Sequence, residues 1–164
     1  RSKTKSMPIS GGDVGGSNNF PTYLKTKVRE GIKLGFTEEE ATKLSAMYGS
    51  NVDKLYEIAK SDGAQAKKAG LPLDVFVKVL YAMREEMTAT PADFFIRRTG
   101  ALFFDIAWVE KWKTKVLDLM AKELVWGREQ KEKNRIILER HLHDAVRAVD
   151  EEQGLDQKIS NKIS

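Results

Sequence analysis

The first candidate for a binding site is a glycine cluster, Gly11 to Gly16 in PISGGDVGGSNNF. Glycine-rich loops can bind a phosphate through their backbone amides. Gly11 and Gly16 are separated by four residues, as in a phosphate-binding loop, but Ser17 stands where that loop needs its lysine. The cluster follows no apolar strand and does not match the dinucleotide-binding spacing G-x-G-x-x-G. We therefore predict a connector here and no phosphate site.

Few other residues offer groups for catalysis or metal binding. The two histidines, His141 and His143, are two positions apart and would face different directions on a helix, so they cannot chelate one metal. Glu85 and Glu86 could act as an acid and a base, but neighbouring residues diverge by about 100° around a helix. The chain has no cysteine and hence no thiolate nucleophile. We predict no catalytic, cofactor-binding or metal-binding residue.

The arginine pair in FFIRRTGALFF stands out because it lies between two apolar clusters. At least one guanidinium, of Arg97 or Arg98, should be partly buried and must then find an acceptor. Glu85, Glu86 and Asp93 are the nearest carboxylates in sequence, and an internal ion pair with one of them is the favoured interpretation. A contact with something outside this chain is the alternative.

Helical periodicity dominates the segments that must position these residues. Phe20, Leu24, Val28 and Ile32 recur every four residues, and GFTEEEATKL contains a capping box at Thr37. Pro91 follows the helix-starting residue of TPADFFIRRTG. The pattern predicts an all-α single domain of six or seven helices, preceded by an irregular glycine-rich arm.

Residues 73–87 fit two patterns. Alternation of Val75, Val77 and Val79 is typical of a strand. Helical spacing is shared by a second apolar set, Leu73, Phe76, Leu80, Met83 and Met87. The length of the apolar segment favours a helix, because strands are usually shorter. A strand is the remaining alternative.

Charge and composition divide the chain into three parts: a connector arm (1–19), a helical body (20–153) and a polar tail (154–164) for which we predict disorder. Residues 1–35 carry seven basic and two acidic residues, whereas the remaining residues are nearly neutral. A basic arm on a neutral body does not favour nucleic-acid binding. The sequence contains no apolar run of the roughly 18 residues that a membrane-spanning helix needs, so we predict no transmembrane segment.

The segments REEMTATPADFFIRRTGALFFD and VLDLMAKELVWGREQKEKN together resemble the C-terminal domain of the FAD-dependent glycerol-3-phosphate dehydrogenases and oxidases. The family usually has glycine or asparagine where this chain has Val125. The resemblance covers about residues 1–150. The motif residues, which we expect to be structural, are Glu86, Asp93, Arg97, Arg98, Asp105, Glu123 and Trp126, with Thr90, Thr99, Phe103, Phe104, Met120 and Leu124 beside them.

The resemblance implies that the chain is one part of a larger flavoenzyme. In this family a separate N-terminal domain holds FAD and oxidises glycerol 3-phosphate to dihydroxyacetone phosphate by hydride transfer. The chain would then be a non-catalytic cap without its own cofactor. Its partner would be the flavin domain of the same parent chain, and glycerol 3-phosphate would be met only through the parent. The absence of cysteine fits a cytoplasmic location, and the resemblance leaves open membrane association and homo-oligomerisation of the parent.

A different functional class also fits the composition. A free-standing helical module with a basic arm could bind another protein through an exposed apolar stripe. Its basic arm could also contact nucleic acid, but the neutral body of the chain speaks against this.

Overall fold

The computed structural model describes residues 20–163, and across this range the chain is helical, without β-strands. The all-α prediction is confirmed. The helices are α1 (Phe20–Lys33), α2 (Glu38–Tyr48), α3 (Val52–Asp62), α4 (Ala64–Ala69), α5 (Leu73–Glu85), α6 (Pro91–Asp93), α7 (Ala101–Phe104), α8 (Ile106–Glu123) and α9 (Arg128–Ile163). A 3₁₀ turn (Gly49–Asn51) precedes α3, and a π-helical turn (Phe94–Arg98) follows α6. The predicted arm, residues 1–19, lies outside the described residues.

The described residues group into two compact units, divided between Tyr81 and Ala82. The first unit shows the predicted capping box: the Glu40 amide donates to Thr37 Oγ1 at 3.1 Å, and the Thr37 amide donates to Glu40 Oε2 at 2.9 Å. Each bond satisfies a backbone donor that a helix start would leave free. The start of α2 is therefore fixed by local sequence.

Gly31 is the residue through which α1 packs most closely in the first unit. A Cβ at this position would lie 2.6 Å from Tyr56 Oη and 2.7 Å from the Ala41 Cβ. Tyr56 Oη donates to the Lys27 carbonyl at 2.8 Å, so the phenol holds α1 in place. The regular stripe found in the sequence instead borders an open cavity, lined in part by Leu24, Val28 and Ile32.

Helix α5 resolves the ambiguity of residues 73–87 in favour of the helix. Val75, Val77 and Val79 are all buried, and so are Phe76 and Leu80 beside them. Apolar residues occupy most of the circumference of this helix. Its apolar residues therefore recur both with a spacing of about four and at alternate positions. The alternation reflects burial on several sides of a helix and carries no information about a strand.

In the second unit, the long segment predicted from residue 101 onward is divided at Asp105 into α7 and α8. The largest buried side chains come from the π-helical turn, α8 and α9, and include Phe94, Phe95, Val109, Met120, Leu138 and Leu142, while α6 and α7 add smaller contributions. Lys113 joins α8 to α9, since its Nζ lies 2.7 Å from Glu110 and 2.8 Å from Glu139.

Residues 154–163 continue α9 as helix, although the sequence predicted disorder for the tail from residue 154 onward. The segment contains good helix formers such as leucine, glutamine and lysine, and one glycine in an exposed helix costs only about 1 kcal/mol. Gly154 therefore does not end the helix. The side chains described in this stretch are exposed.

Candidate functional site

The arginine pair lies on the π-helical turn of the second unit. Such a turn contains one residue more than an α-helical turn and often occurs at functional positions. It follows α6, which begins as predicted: Thr90 Oγ1 accepts from the Asp93 amide at 3.1 Å, and Pro91 occupies the first helical position. The sequence predicted a short helix here but not the wider turn.

Arg98 pairs with Glu86, as one of the predicted internal ion pairs. Its Nη2 donates to the Glu86 carbonyl oxygen at 3.1 Å, and its Nε lies 3.6 Å from Glu86 Oε2. The side chains are 36% and 29% exposed. One guanidinium therefore engages both the backbone carbonyl and the carboxylate of Glu86, which follows α5, and ties the π-helical turn to this residue.

Arg97 is held less firmly than Arg98. Its Nε lies 3.4 Å from Asp93 Oδ1, one helical turn earlier, and its side chain is 78% exposed. An exposed pair of this kind contributes little to stability because water screens it. Both arginines thus have carboxylate neighbours inside the chain, as the sequence analysis predicted.

Thr99 and Asp105 organise the segment that follows the arginines. Thr99 Oγ1 accepts from the Ala101 amide at 3.2 Å and donates to the Phe95 carbonyl at 3.3 Å. Asp105 Oδ1 accepts from the Trp108 amide at 3.0 Å and so caps the start of α8. Both side chains therefore serve the backbone at helix boundaries.

The second part of the motif, Glu123 to Trp126, forms the stop of α8. The Trp126 amide donates to the Ala121 carbonyl at 2.8 Å, and the Val125 amide donates to the Lys122 carbonyl at 3.3 Å. These are the two bonds of a Schellman cap, whose central residue takes a left-handed conformation. Val125 has φ 55° and is 88% exposed. Glycine or asparagine would suit this position better than valine.

An open cavity of about 530 Å³ lies beside the arginine motif within the second unit. Met87, Ile96 and Ile137 contribute apolar surface to it, and Arg97 and His141 lie at its edge. The Asp93 carboxylate lines the same cavity and faces Arg97, with its Oδ1 3.4 Å from the arginine Nε.

The sequence did not predict a partly buried pair of charged residues on α5. Burial raises the pKa of the Asp74 carboxyl, and burial lowers the pKa of the Lys78 ammonium. The two residues are one helical turn apart, and Glu40 and Lys43 of α2 also act on Lys78. Opposite shifts of this kind occur in acid–base sites and also in structural pairs. No signal in the sequence distinguished them from exposed helix residues.

The remaining candidates stay separate in the structure. Among residues 20–163, no group of three histidine, aspartate or glutamate side chains could hold a metal ion. His141 lies at the edge of the cavity, whereas His143 is exposed elsewhere on α9. None of the helices in the described part of the chain is both long enough and apolar enough to cross a membrane.

Comparison with known proteins decides the family. Residues 2–131 match the family described as the C-terminal domain of alpha-glycerophosphate oxidase. The chain belongs to this family. The ion pairs and caps described above are made by the residues that the resemblance singles out in the sequence.

Named relatives agree with this membership. The aerobic glycerol-3-phosphate dehydrogenase of Bacillus subtilis is 46% identical over 144 residues, covering 88% of this chain and 26% of the relative. That of Staphylococcus haemolyticus is 47% identical over 128 residues, covering 78% and 23%. A crystal structure of the glycerol-3-phosphate dehydrogenase from Bacillus halodurans, complexed with FAD, has a TM-score of 0.77 and 44% identity, covering 81% of this chain and 27% of that one. The chain therefore spans about a quarter of the length of these relatives.

Proposed function

We propose that this chain is the helical C-terminal cap of an FAD-dependent glycerol-3-phosphate dehydrogenase or oxidase, and that it acts in stabilising the flavoprotein rather than in the chemical step. The parent enzyme would oxidise glycerol 3-phosphate to dihydroxyacetone phosphate. The observation that carries the proposal is the match of most of this chain to one quarter of glycerol-3-phosphate dehydrogenases.

The use made of the motif residues supports a structural role. Arg98 is bonded to Glu86, Arg97 faces Asp93, and Asp105 caps a helix. These contacts give each side chain a use within the domain, which supports a structural role. Accordingly, we assign the parent's substrate site to the part of the polypeptide outside this chain.

The cofactor is assigned to the same outside part. A dinucleotide is held by a strand, a glycine-rich turn and a helix whose amino end meets the pyrophosphate. Residues 20–163 contain helices and no strand, so they do not provide this cradle. FAD would supply the hydride acceptor of the parent reaction, and the residues of this chain would hold the surrounding protein in shape.

The test compares this chain alone with the complete enzyme. Purified chain is examined for flavin absorbance and for oxidation of glycerol 3-phosphate with an artificial electron acceptor. The separately expressed remainder of the parent is then measured alone and after addition of the chain. We expect no flavin and no activity in the chain, and a higher temperature of FAD release from the remainder once the chain is added.

Two outcomes would contradict the proposal. Flavin or activity in the isolated chain would show that its own residues form the site. A remainder whose stability and activity do not change on addition of the chain would show that the domain is not a cap. The same comparison with Arg98→Ala in the chain links any effect to the motif.

A further inference from the structure

The most exposed pair of adjacent aromatic residues in the described part of the chain lies within the family motif. Phe103 is 66% exposed and Phe104 is 89% exposed, at the end of α7. The exposure of large apolar side chains on a surface often marks an interaction site. The pair therefore calls for a physical explanation.

Two other strongly exposed apolar residues in this unit have a local explanation. Met87 and Val125 are 87% and 88% exposed, and both have positive φ values where a helix has just ended. A left-handed position next to a helix end turns its side chain toward solvent. Phe103 and Phe104 are the last two residues of α7 and are not among the residues with positive φ, so a left-handed position does not explain their exposure.

The backbone around the pair is fixed by several contacts. Gly100 has φ 63°, a left-handed conformation that glycine adopts without strain, and it begins α7. Ala101 and Leu102 are buried, and the Asp105 amide donates to the Ala101 carbonyl at 2.7 Å. The two phenylalanine rings are thus presented from an anchored turn rather than from a loose loop.

We propose that Phe103 and Phe104 are the apolar centre of the surface that docks onto the flavin-binding part of the same polypeptide. This inference rests on the proposed function. The length of the relatives indicates what covers this surface. In them, about three quarters of the polypeptide lies outside the region that this chain matches. A covalently attached body of that size is present at a high effective concentration, so it covers such a surface ahead of a diffusing partner. Aromatic residues are also the usual anchors of protein interfaces.

The experiment places a photoreactive phenylalanine analogue, p-benzoylphenylalanine, at position 104 of the full-length protein. The matched control carries the same analogue at Met47, which is 63% exposed in the first unit. Each protein is irradiated at low concentration with vesicles of phosphatidylglycerol and phosphatidylcholine, and products are identified by mass spectrometry. FAD content and glycerol 3-phosphate oxidation are measured on the same samples.

We expect position 104 to cross-link within its own polypeptide, to a peptide from the flavin-binding part, at least tenfold more than position 47. Cross-links to a second copy or to lipid would overturn the proposal, and so would a yield no higher than that of the control. The FAD and activity readings separate the two hypotheses. A full-length protein without flavin or activity refutes the proposed function, whereas an active flavoprotein with a different cross-link refutes only the docking surface.

A second variant tests the energetic part of the inference. In the full-length protein, Phe103→Ser with Phe104→Ser should lower the temperature of FAD release by at least 2 °C, whereas Met47→Ser should not change it. An unchanged temperature in the double variant would show that the pair is not the centre of an interface.

Discussion

Replacing Val125 by glycine should stabilise the second unit. Val125 is the central residue of the Schellman cap that ends α8, with φ 55° and an 88% exposed side chain. An L-residue in this conformation costs about 1–2 kcal/mol, because its Cβ crowds the following carbonyl oxygen. The side chain makes little packing contribution that could offset this cost, since it is almost fully exposed.

The expected gain follows from two opposing effects. Removing the Cβ relieves about 1–2 kcal/mol of strain. Glycine offsets about 0.4–1 kcal/mol of this gain, because it makes the unfolded chain more flexible. The net stabilisation should be about 1 kcal/mol, which corresponds to a rise of about 2–4 °C in the melting temperature of a chain of this size. Val125→Asn should give a smaller gain in the same direction, because asparagine tolerates this conformation better than valine.

Tryptophan fluorescence is the suitable assay, since the three tryptophans of the chain lie between residues 108 and 126, within the second unit. The matched control is Val146→Gly on α9, a 41% exposed helical position where glycine should destabilise by about 0.5 kcal/mol. A higher melting temperature for Val125→Gly and a lower one for Val146→Gly would confirm the reasoning. A Val125→Gly protein that melts at or below the wild-type temperature would refute it.

Three further predictions concern packing, the arginines and pH, with unfolding in urea as the measurement. Gly31→Ala should destabilise the chain by about 1–3 kcal/mol, because the new Cβ would overlap two side chains. In the control Gly154→Ala, the new Cβ meets no atom within 4 Å, and the substitution should stabilise by about 0.5–1 kcal/mol. Equal effects of the two substitutions would contradict the close contact at Gly31. Arg98→Ala should lower the free energy of unfolding by about 1 kcal/mol and Arg97→Ala by about half of that or less; unchanged melting of both variants would refute the ion-pair interpretation. Burial raises the pKa of the Asp74 carboxyl in the folded chain, so the folded state takes up this proton first as the pH falls. Wild type should therefore gain stability relative to Asp74→Asn as the pH falls from 7 to about 3.9, the ordinary pKa of an aspartate. Circular dichroism at both pH values checks this, and a difference that does not change with pH would contradict it.

The helices were predictable wherever their signals are local. The capping box at Thr37 and the start at Thr90 depend on residues within three positions of each other, and both occur as predicted. The pairing of Arg98 with Glu86 was predictable in kind, because a guanidinium between apolar clusters needs an acceptor. The motif residues as a set were recognised from the family resemblance rather than from physical reasoning.

Features that depend on tertiary contacts were not predictable. The regular spacing from Phe20 to Ile32 marked a helix correctly, but it gave no sign that α1 packs most closely through Gly31, because that contact depends on Tyr56 of another helix. The π-helical turn at residues 94–98 has the composition of an ordinary helix. The left-handed conformation of Val125 was not predictable for a similar reason, because valine is not a residue type that indicates a turn.

The π-helical turn also bears on how sequences of this family can vary in length. A π-helical turn is in effect a single inserted residue in an α-helix. Deleting one residue from Phe94–Arg98 would restore regular winding, but it would also rotate the residues on either side of the deletion by about 100° relative to each other. Arg98 would then no longer reach Glu86, and Gly100 would no longer begin α7 in the same orientation. The number of residues between Glu86 and Asp105 is therefore constrained as strongly as the identity of the residues in this interval. Insertions or deletions in other members of the family should fall outside it.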